Sequence, residues 1–140
     1  MRSEFALEIP PHREHLALVR LIVGGAAALS PVGDRRLEDL KLAVSEACAN
    51  AMDAQLRSGS DAPLRISVEV DDDAMVVTVT DHAGGFEPGA LDPLPSVTDP
   101  QRLRHERGLG VPLMRSLADL VTFTKVADGT AVRLEIRAPA

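Results

Sequence analysis

Aromatic residues are scarce in this 140-residue chain, which has no Trp, no Tyr and three Phe. Proteins that bind single-stranded nucleic acid stack the bases on aromatic side chains, so the chain lacks the surface for that role. Its formal net charge of −6 argues further against nucleic acid, because affinity for phosphate backbones comes largely from clustered Lys and Arg. We therefore expect its partners to be proteins and small molecules.

Cysteine and long apolar segments are also nearly absent. Cys48 is the single cysteine, so no disulfide can form within the chain, and we expect a reducing, cytoplasmic location. The longest apolar stretch, residues 16–29, is interrupted by Arg20 and is shorter than the roughly 20 residues of a membrane span. The chain also contains no Gly-x-x-x-x-Gly-Lys-Ser/Thr segment, which excludes a P-loop.

The length and a hydrophobic content of 45% predict one domain, residues 1–140, with an α+β fold. Apolar alternation predicts strands and apolar spacings of three and four predict helices. The predicted strands are 5–9, 64–70, 75–80, 120–126 and 130–137, and the predicted helices are 12–29, 35–57 and 110–119. This order predicts a two-layer α/β sandwich in which helices cover a mixed, mostly antiparallel sheet, with the first strand at an edge.

Local signals refine these elements. Asp34 is expected to cap the second helix, and Asp128-Gly129 is a strong signal for the turn of the last hairpin. The second helix is expected to bury a regular apolar face comprising Leu37, Leu40, Val44, Ala47, Cys48 and Ala51. The first helix is expected to pack on the sheet through Leu18, Leu21, Ile22 and Leu29, with Arg20 pointing outward.

Three polar groups on the second helix share one side of it. Glu46, Asn50 and Asp53 are four and three residues apart, and small alanines surround them, which leaves room for a ligand. An acidic pair on a helix is more often a solvated face, so this pattern alone does not establish a site.

Two glycine-containing segments complete the candidate site. Asp81 follows a Val-rich strand and precedes Gly84-Gly85, so its carboxylate can accept a hydrogen bond from a ligand amino group while the backbone approaches closely. Gly108-Leu109-Gly110 precedes a predicted helix, where backbone N–H groups and the helix dipole suit phosphate, and Arg107 adds charge. Each segment alone fits an ordinary turn or a flexible helix entry.

Taken together and in this order, the three segments resemble the boxes of the GHKL ATPases. Those boxes read Glu-x-x-x-Asn, Asp-x-Gly-x-Gly, a Gly-x-Gly after a mobile lid, and a Gly-Thr near the final strand. Their counterparts here are Glu46 to Asn50, Asp81 to Gly85, Gly108 to Gly110, and Gly129-Thr130. Among GHKL proteins the chain is most similar to anti-sigma factor serine/threonine kinases of the RsbW and SpoIIAB type.

This resemblance implies a Bergerat-type fold that binds ATP and Mg²⁺, with a lid at 88–107. It implies that Asn50 ligates Mg²⁺, that Glu46 is the catalytic base, and that Asp81, supported by Thr130, binds the adenine amino group. It implies that Arg107 and the backbone of Gly108 to Gly110 hold the phosphates. The remaining residues that it assigns to nucleotide binding are Asp53, Gly85, Phe86 and Leu109.

The resemblance also implies the activity and the partners. It implies a protein serine/threonine kinase that sequesters a sigma factor and phosphorylates a STAS-type anti-sigma factor antagonist. It further implies a homodimer, and a protein contact through Arg20 on the first helix. An alternative is a binding-only regulator without phosphotransfer. Ala83 favours that alternative slightly, because it replaces the first glycine of the second box and a left-handed backbone there would disfavour alanine.

Overall fold

The computed structural model describes residues 2–84 and 107–139, and its centre is one five-stranded sheet. The strands are β1 (Ser3–Ile9), β2 (Leu64–Val70), β3 (Ala74–Thr80), β4 (Leu120–Val126) and β5 (Gly129–Arg137). Their order across the sheet is β1-β2-β3-β5-β4, and every described pairing is antiparallel. The α+β sandwich predicted from the sequence is confirmed, and β1 lies at an edge as expected.

In the described part of the chain, three α-helices accompany the sheet. They are α1 (Leu16–Ala26), α2 (Asp34–Ser58) and α3 (Arg107–Leu117), and short 3-10 turns at Arg13–His15 and Ala27–Leu29 extend α1 at both ends. The long α2 packs over β2, β3 and β5, while α1 and α3 flank it. None of the helices in the described ranges is long and apolar enough to cross a membrane.

The core lies between α2 and one face of the sheet. Val68, Val77 and Leu134 lie opposite one another on β2, β3 and β5, and all three are fully buried. All six apolar positions predicted for α2 are buried as well. Alternation along the strands places every second side chain in this core, which fixes the register of the sheet.

Two helix boundaries differ from the predictions. Asp34 is the first residue of α2 and not its cap; Gly33 occupies the cap position, without a side-chain hydrogen bond. The Asp34 carboxylate remains in the first turn, where the positive end of the helix dipole favours it. Helix α3 begins at Arg107 and ends at Leu117, so Gly108 and Gly110 belong to its first turn and do not precede it.

The buried face of α1 also differs from the prediction. Leu18, Leu21 and Leu29 are exposed by 44%, 71% and 50%, whereas the valines 19 and 23, together with Ala26, are buried. Because α1 is apolar on nearly all sides, the spacing of its apolar residues does not identify the side that meets the sheet. The expectation that leucines anchor this helix is therefore wrong.

Candidate functional site

Glu46 and Asn50 lie one turn apart on the less buried side of α2. Both side chains are partly exposed, whereas Ala47, Cys48 and Ala51 beside them are buried. Within the described ranges, neither Glu46 nor Asn50 forms a side-chain hydrogen bond or an ion pair. No described residue therefore occupies their polar ends, and the roles predicted for them stay predictions.

Asp53, the third residue of the predicted group, has a protein partner. Its carboxylate accepts two hydrogen bonds from Nη2 of Arg13, with lengths of 3.1 Å to Oδ1 and 2.9 Å to Oδ2. This ion pair links the N-terminal end of the first helical region to α2. The predicted nucleotide-binding role of Asp53 therefore requires a carboxylate already held by an arginine, and it stays a prediction.

Asp81 is buried at the end of β3, with 6% of its surface exposed. Its Oδ1 accepts the backbone N–H of Ala83 at 3.0 Å and that of Thr130 at 3.2 Å. Burial raises the pKa of this carboxyl, and the two backbone hydrogen bonds oppose the shift without cancelling it. Both bonds go to Oδ1, which leaves Oδ2 without a hydrogen bond from the described residues.

Gly129 allows β5 to approach Asp81 closely. The backbone N–H of Asp81 donates to the carbonyl oxygen of Thr130 at 2.9 Å, which draws the two chains together. A Cβ at Gly129 would overlap the Asp81 carbonyl oxygen and lie 2.8 Å from its Oδ1. The φ angle of Gly129 is not positive, and the turn of the hairpin is Ala127-Asp128. The predicted hairpin is present, but its glycine serves this contact and not the turn.

The hydroxyl of Thr130 tests whether a nucleotide base fits here. Thr130 Oγ1 is buried beside Asp81 and has no hydrogen-bond partner among the described residues. A buried hydroxyl without a partner costs stability, so a bound molecule or ordered water is expected to satisfy it. An aromatic amino group would donate a hydrogen bond to Asp81 Oδ2. The Thr130 hydroxyl would form a hydrogen bond with a polar atom of the ligand beside that amino group. The residues present therefore fit an adenine amino group.

The turn after Asp81 contains a left-handed glycine and a contact to the β4–β5 hairpin. Gly84 has a φ of +73°, in the left-handed region, whereas no described residue other than glycine has a positive φ. Ala83 is therefore free of the strain that a left-handed backbone would impose on it. His82 Nδ1 lies 2.9 Å from an Asp128 carboxylate oxygen, so the turn is also linked to the β4–β5 hairpin.

Gln55, which the sequence analysis did not single out, is part of this arrangement. It is fully buried on α2, and its Oε1 accepts the backbone N–H of His82 at 2.8 Å. A signal for it exists in the sequence, because Gln55 falls four residues after Ala51, on the apolar face of the helix. A polar side chain on such a face has to be paired inside the protein.

At the phosphate end of the predicted site, the structure describes the backbone of residues 107–110. Residues 107–110 form the first turn of α3, where N–H groups lack partners within the helix and the dipole is positive. Gly85 and Phe86 lie outside the described residues, as does the predicted lid apart from its last position, Arg107. The roles predicted for these residues stay predictions.

Arg20 lies in a groove between α1 and α2. Its Nε donates to Oγ of Ser45 at 2.8 Å, and the groove is lined by Ala17, Leu21, Glu38, Asp39, Lys41 and Leu42 as well. Arg20 is exposed, as expected, and within the described ranges no carboxylate pairs with it. Lys41 and Asp39, in contrast, pair with Glu38 and Arg36.

Other reactive residues show no second site. No three His, Cys, Asp or Glu side chains of the described ranges lie close enough together to hold a metal ion. Burial raises the pKa of Cys48 to about 12, so the thiol is a protonated core group and not a nucleophile. A Mg²⁺ ion held by Asn50 and phosphate oxygens fits this observation, because Mg²⁺ needs few protein ligands.

Comparison with known proteins agrees with this geometry. The histidine kinase-like ATPase domain family matches residues 9–136 of the chain. The chain is 32% identical over 121 residues to the serine-protein kinase RsbW of Bacillus pumilus, an alignment that covers 82% of this chain and 74% of that protein. It is 31% identical to the serine-protein kinase RsbW of Bacillus subtilis over the same length and the same shares.

A solved structure shares the fold. It contains the RsbU and RsbW domains of a Mycobacterium tuberculosis protein, and its similarity to this chain has a TM-score of 0.63 at 14% identity. The match covers 99% of this chain and 33% of the longer one. The sequence family, the fold and the hydrogen bonds between Asp81 and Thr130 all point to the same type of domain. The chain therefore belongs to the histidine kinase-like ATPase family, among the RsbW-type anti-sigma factor serine kinases.

Proposed function

We propose that this chain binds Mg-ATP and transfers the γ-phosphoryl group to a serine or threonine of an anti-sigma factor antagonist. The observation that carries the proposal is the pairing of Asp81 with Thr130. A buried carboxylate keeps one oxygen free of the described residues, and a buried hydroxyl beside it has no partner there. Both properties suit a base that presents an amino group. The RsbW kinases of two Bacillus species, at about a third identity, support the same ligand.

Residues of α2 would carry the reaction. Glu46 would remove the proton from the attacking hydroxyl, whose oxygen then bonds to the γ-phosphorus as the bond to the ADP oxygen breaks. Asn50 would hold Mg²⁺, which offsets the negative charge of the phosphates. Backbone N–H groups in the first turn of α3 would hold the phosphate oxygens, with Arg107 adding positive charge. The products are ADP and a phosphorylated partner.

The partners proposed for this activity are a sigma factor and a STAS-type antagonist. Arg20 supports a protein contact on the α1–α2 groove, since it is exposed, oriented by Ser45 and surrounded by the exposed Leu21 and Leu42. An arginine fixed in this way can bind a carboxylate through both terminal nitrogens. Strand β1 pairs with β2 alone among the described strands, so its free edge suits a second copy of the chain.

A binding-only regulator is the alternative function. Its support in the sequence came from Ala83, through the expected strain of a left-handed alanine. Ala83 does not have a positive φ, and the left-handed position is Gly84. That support is therefore lost, and the partly exposed carboxylate of Glu46 still favours the kinase.

Phosphotransfer assays with variants test the proposal. Labelled ATP, Mg²⁺ and candidate antagonists from the same genome are incubated with wild type, Glu46→Gln and Asn50→Ala. We expect Glu46→Gln to keep Mg-ATP binding and to lose phosphotransfer by about 100-fold, the usual effect of removing a positioned base. Asn50→Ala is expected to lose nucleotide binding together with its Mg²⁺ dependence.

Glu14→Gln is the matched control, because Glu14 is an exposed carboxylate outside the candidate site. It is expected to behave as wild type. Normal phosphotransfer by Glu46→Gln would contradict the role of Glu46 as base. Nucleotide binding without phosphotransfer to any antagonist, in the wild type as well, would favour the binding-only alternative.

A further inference from the structure

The side chain of Gln55 joins two segments that are distant in sequence. It is fully buried near the C-terminal end of α2, where Nε2 donates to the carbonyl oxygen of Ala62 and Oε1 accepts from the N–H of His82. A buried amide needs partners for both its nitrogen and its oxygen. Exchanging the two atoms would set N–H against N–H and oxygen against oxygen, so the two partners determine its orientation.

His82 directly follows Asp81, so this hydrogen bond acts on the backbone of the candidate base-binding residue. From the sheet side, the Asp81 carboxylate is held by the N–H of Thr130. From the helix side, Gln55 holds the next peptide group at 2.8 Å. Gln55 thereby links α2 directly to the turn after β3.

We propose that Gln55 is a positioning residue of the nucleotide site. It keeps Asp81, at the base end, in a fixed relation to Glu46 and Asn50, which lie about two and a half turns and about one and a half turns earlier on the same helix. The inference rests on the nucleotide-binding function proposed above. Gln55 acts at the base end of the site. Its loss therefore lowers the affinity for adenosine, ADP and ATP by the same factor.

Two variants separate positioning from general stability. Gln55→Met has a similar size but loses both hydrogen bonds, and we expect affinity for the three adenine ligands to fall about tenfold or more. Gln55→Glu keeps an oxygen that accepts the N–H of His82 but faces the Ala62 carbonyl with a second oxygen. It is expected to lower the melting temperature while affinity stays within about threefold of wild type.

Leu40→Ala is the matched control. Leu40 is fully buried on the same helix, roughly 22 Å from Gln55 along the axis, so its truncation lowers stability without contact to the turn after Asp81. Affinities are measured by calorimetry below the melting temperature of each variant. Affinity unchanged in Gln55→Met, or affinity that follows the melting temperature through all three variants, would overturn the inference.

Hydrogen exchange gives a readout that needs no nucleotide. The amide of His82 is expected to exchange at least about tenfold faster in Gln55→Met, relative to the core amide of Val77, and to keep its wild-type ratio in Leu40→Ala. If wild type binds no adenine ligand, the proposed function fails, and with it the role of Gln55 in a nucleotide site. If wild type binds and the His82 ratio is unchanged in Gln55→Met, the inference alone fails. Should Gln55→Met not fold, Gln55→Glu decides, since a loss of affinity there contradicts the role of its oxygen.

Discussion

At the scale of single residues, Asp81 has a structural role and, on the proposed function, a binding role in the same carboxylate. Oδ1 accepts two backbone N–H groups, and Oδ2 is free of the described residues. Asparagine keeps an oxygen that can serve the backbone, but it presents N–H where a ligand amino group needs an acceptor. We expect Asp81→Asn to abolish most ATP binding. Calorimetry that gives an affinity within about threefold of wild type, roughly 0.6 kcal/mol, would contradict the assignment to adenine.

Asp81→Asn is expected to lower ATP affinity but not the stability of the nucleotide-free protein. Burial raises the pKa of Asp81 above its ordinary value of 3.8, so the folded protein binds this proton more tightly than the unfolded chain does. Ionisation therefore costs stability as pH rises from about 3.8 through the raised pKa, and acidification through that window restores it. Asparagine carries no charge and removes this contribution.

Thermal melts of the nucleotide-free protein check this pH dependence. Asp81→Asn is expected to be at least as stable as wild type at pH 7, and its advantage should shrink as the pH falls towards 4. A lower melting temperature at pH 7 would show that the backbone hydrogen bonds to the carboxylate outweigh the cost of burying it.

At the scale of secondary structure, two glycines of the helical layer respond to the same substitution with opposite signs. Gly59 ends α2 with a φ of +76°, and Gly25 lies inside α1; a Cβ at either position would meet nothing within 4 Å. Alanine in the left-handed region costs about 1 kcal/mol, and alanine inside a helix is favoured over glycine by a similar amount.

We therefore expect Gly59→Ala to lower the free energy of unfolding by about 1 kcal/mol and Gly25→Ala to raise it by about 0.5–1 kcal/mol. Denaturant unfolding of the two variants beside wild type measures both changes. Equal shifts of the same sign would mean that the backbone conformation at Gly59 does not control the end of α2.

Patterns between residues close together in the sequence explain which structural elements could be predicted. The Val-rich and Ile-rich runs of β2 and β3 and the regular apolar face of α2 are local patterns, so these elements were predicted closely. Helix α1 is apolar nearly all round, and its buried valines differ from its exposed leucines by contacts that spacing does not contain. The role of Gly129 depends on Asp81, which is 48 positions away, so a local turn rule assigned it a different purpose.

For the candidate site, Glu46 and Asn50 were proposed from their spacing on one helix and Asp81 from its place at the end of a strand, which are local features; their roles stay predictions. Gln55 was missed because its partner, His82, is 27 residues distant. Arg13 was not linked to Asp53 for the same reason, since the two are 40 residues apart.

At the scale of the whole molecule, Arg20 in the α1–α2 groove has no described contact with Asp81 or Thr130, although Ser45, which orients it, directly precedes Glu46. Arg20 is oriented by Ser45 and carries no ion pair within the described ranges. Reversal of its charge should repel an acidic partner surface while the Asp81 end of the molecule is unaffected. We expect Arg20→Glu to weaken binding of the sigma factor or antagonist by about 2 kcal/mol, roughly thirtyfold, without changing ATP affinity.

Calorimetry with each partner and with ATP measures the two effects separately. Arg57→Glu makes the same charge change at the far end of α2 and is the matched control, with partner affinity expected to stay near wild type. Unaltered partner affinity in Arg20→Glu would place the interface elsewhere. Loss of ATP binding in that variant would mean that Arg20 stabilises the fold.

The sheet order has a kinetic consequence. Strands β3 and β5 are neighbours, with Thr80 opposite Ala131, although a helix and another strand separate them along the chain. Closing so long a loop is slow compared with forming a hairpin, because its entropy is lost before the distant contacts form. We therefore expect Asp81 and Thr130 to be brought together late in folding, because their pairing depends on this long-range contact. A nascent chain that has not yet synthesised β5 lacks Thr130, so on the proposed function it is expected to bind ATP only after β5 has been made.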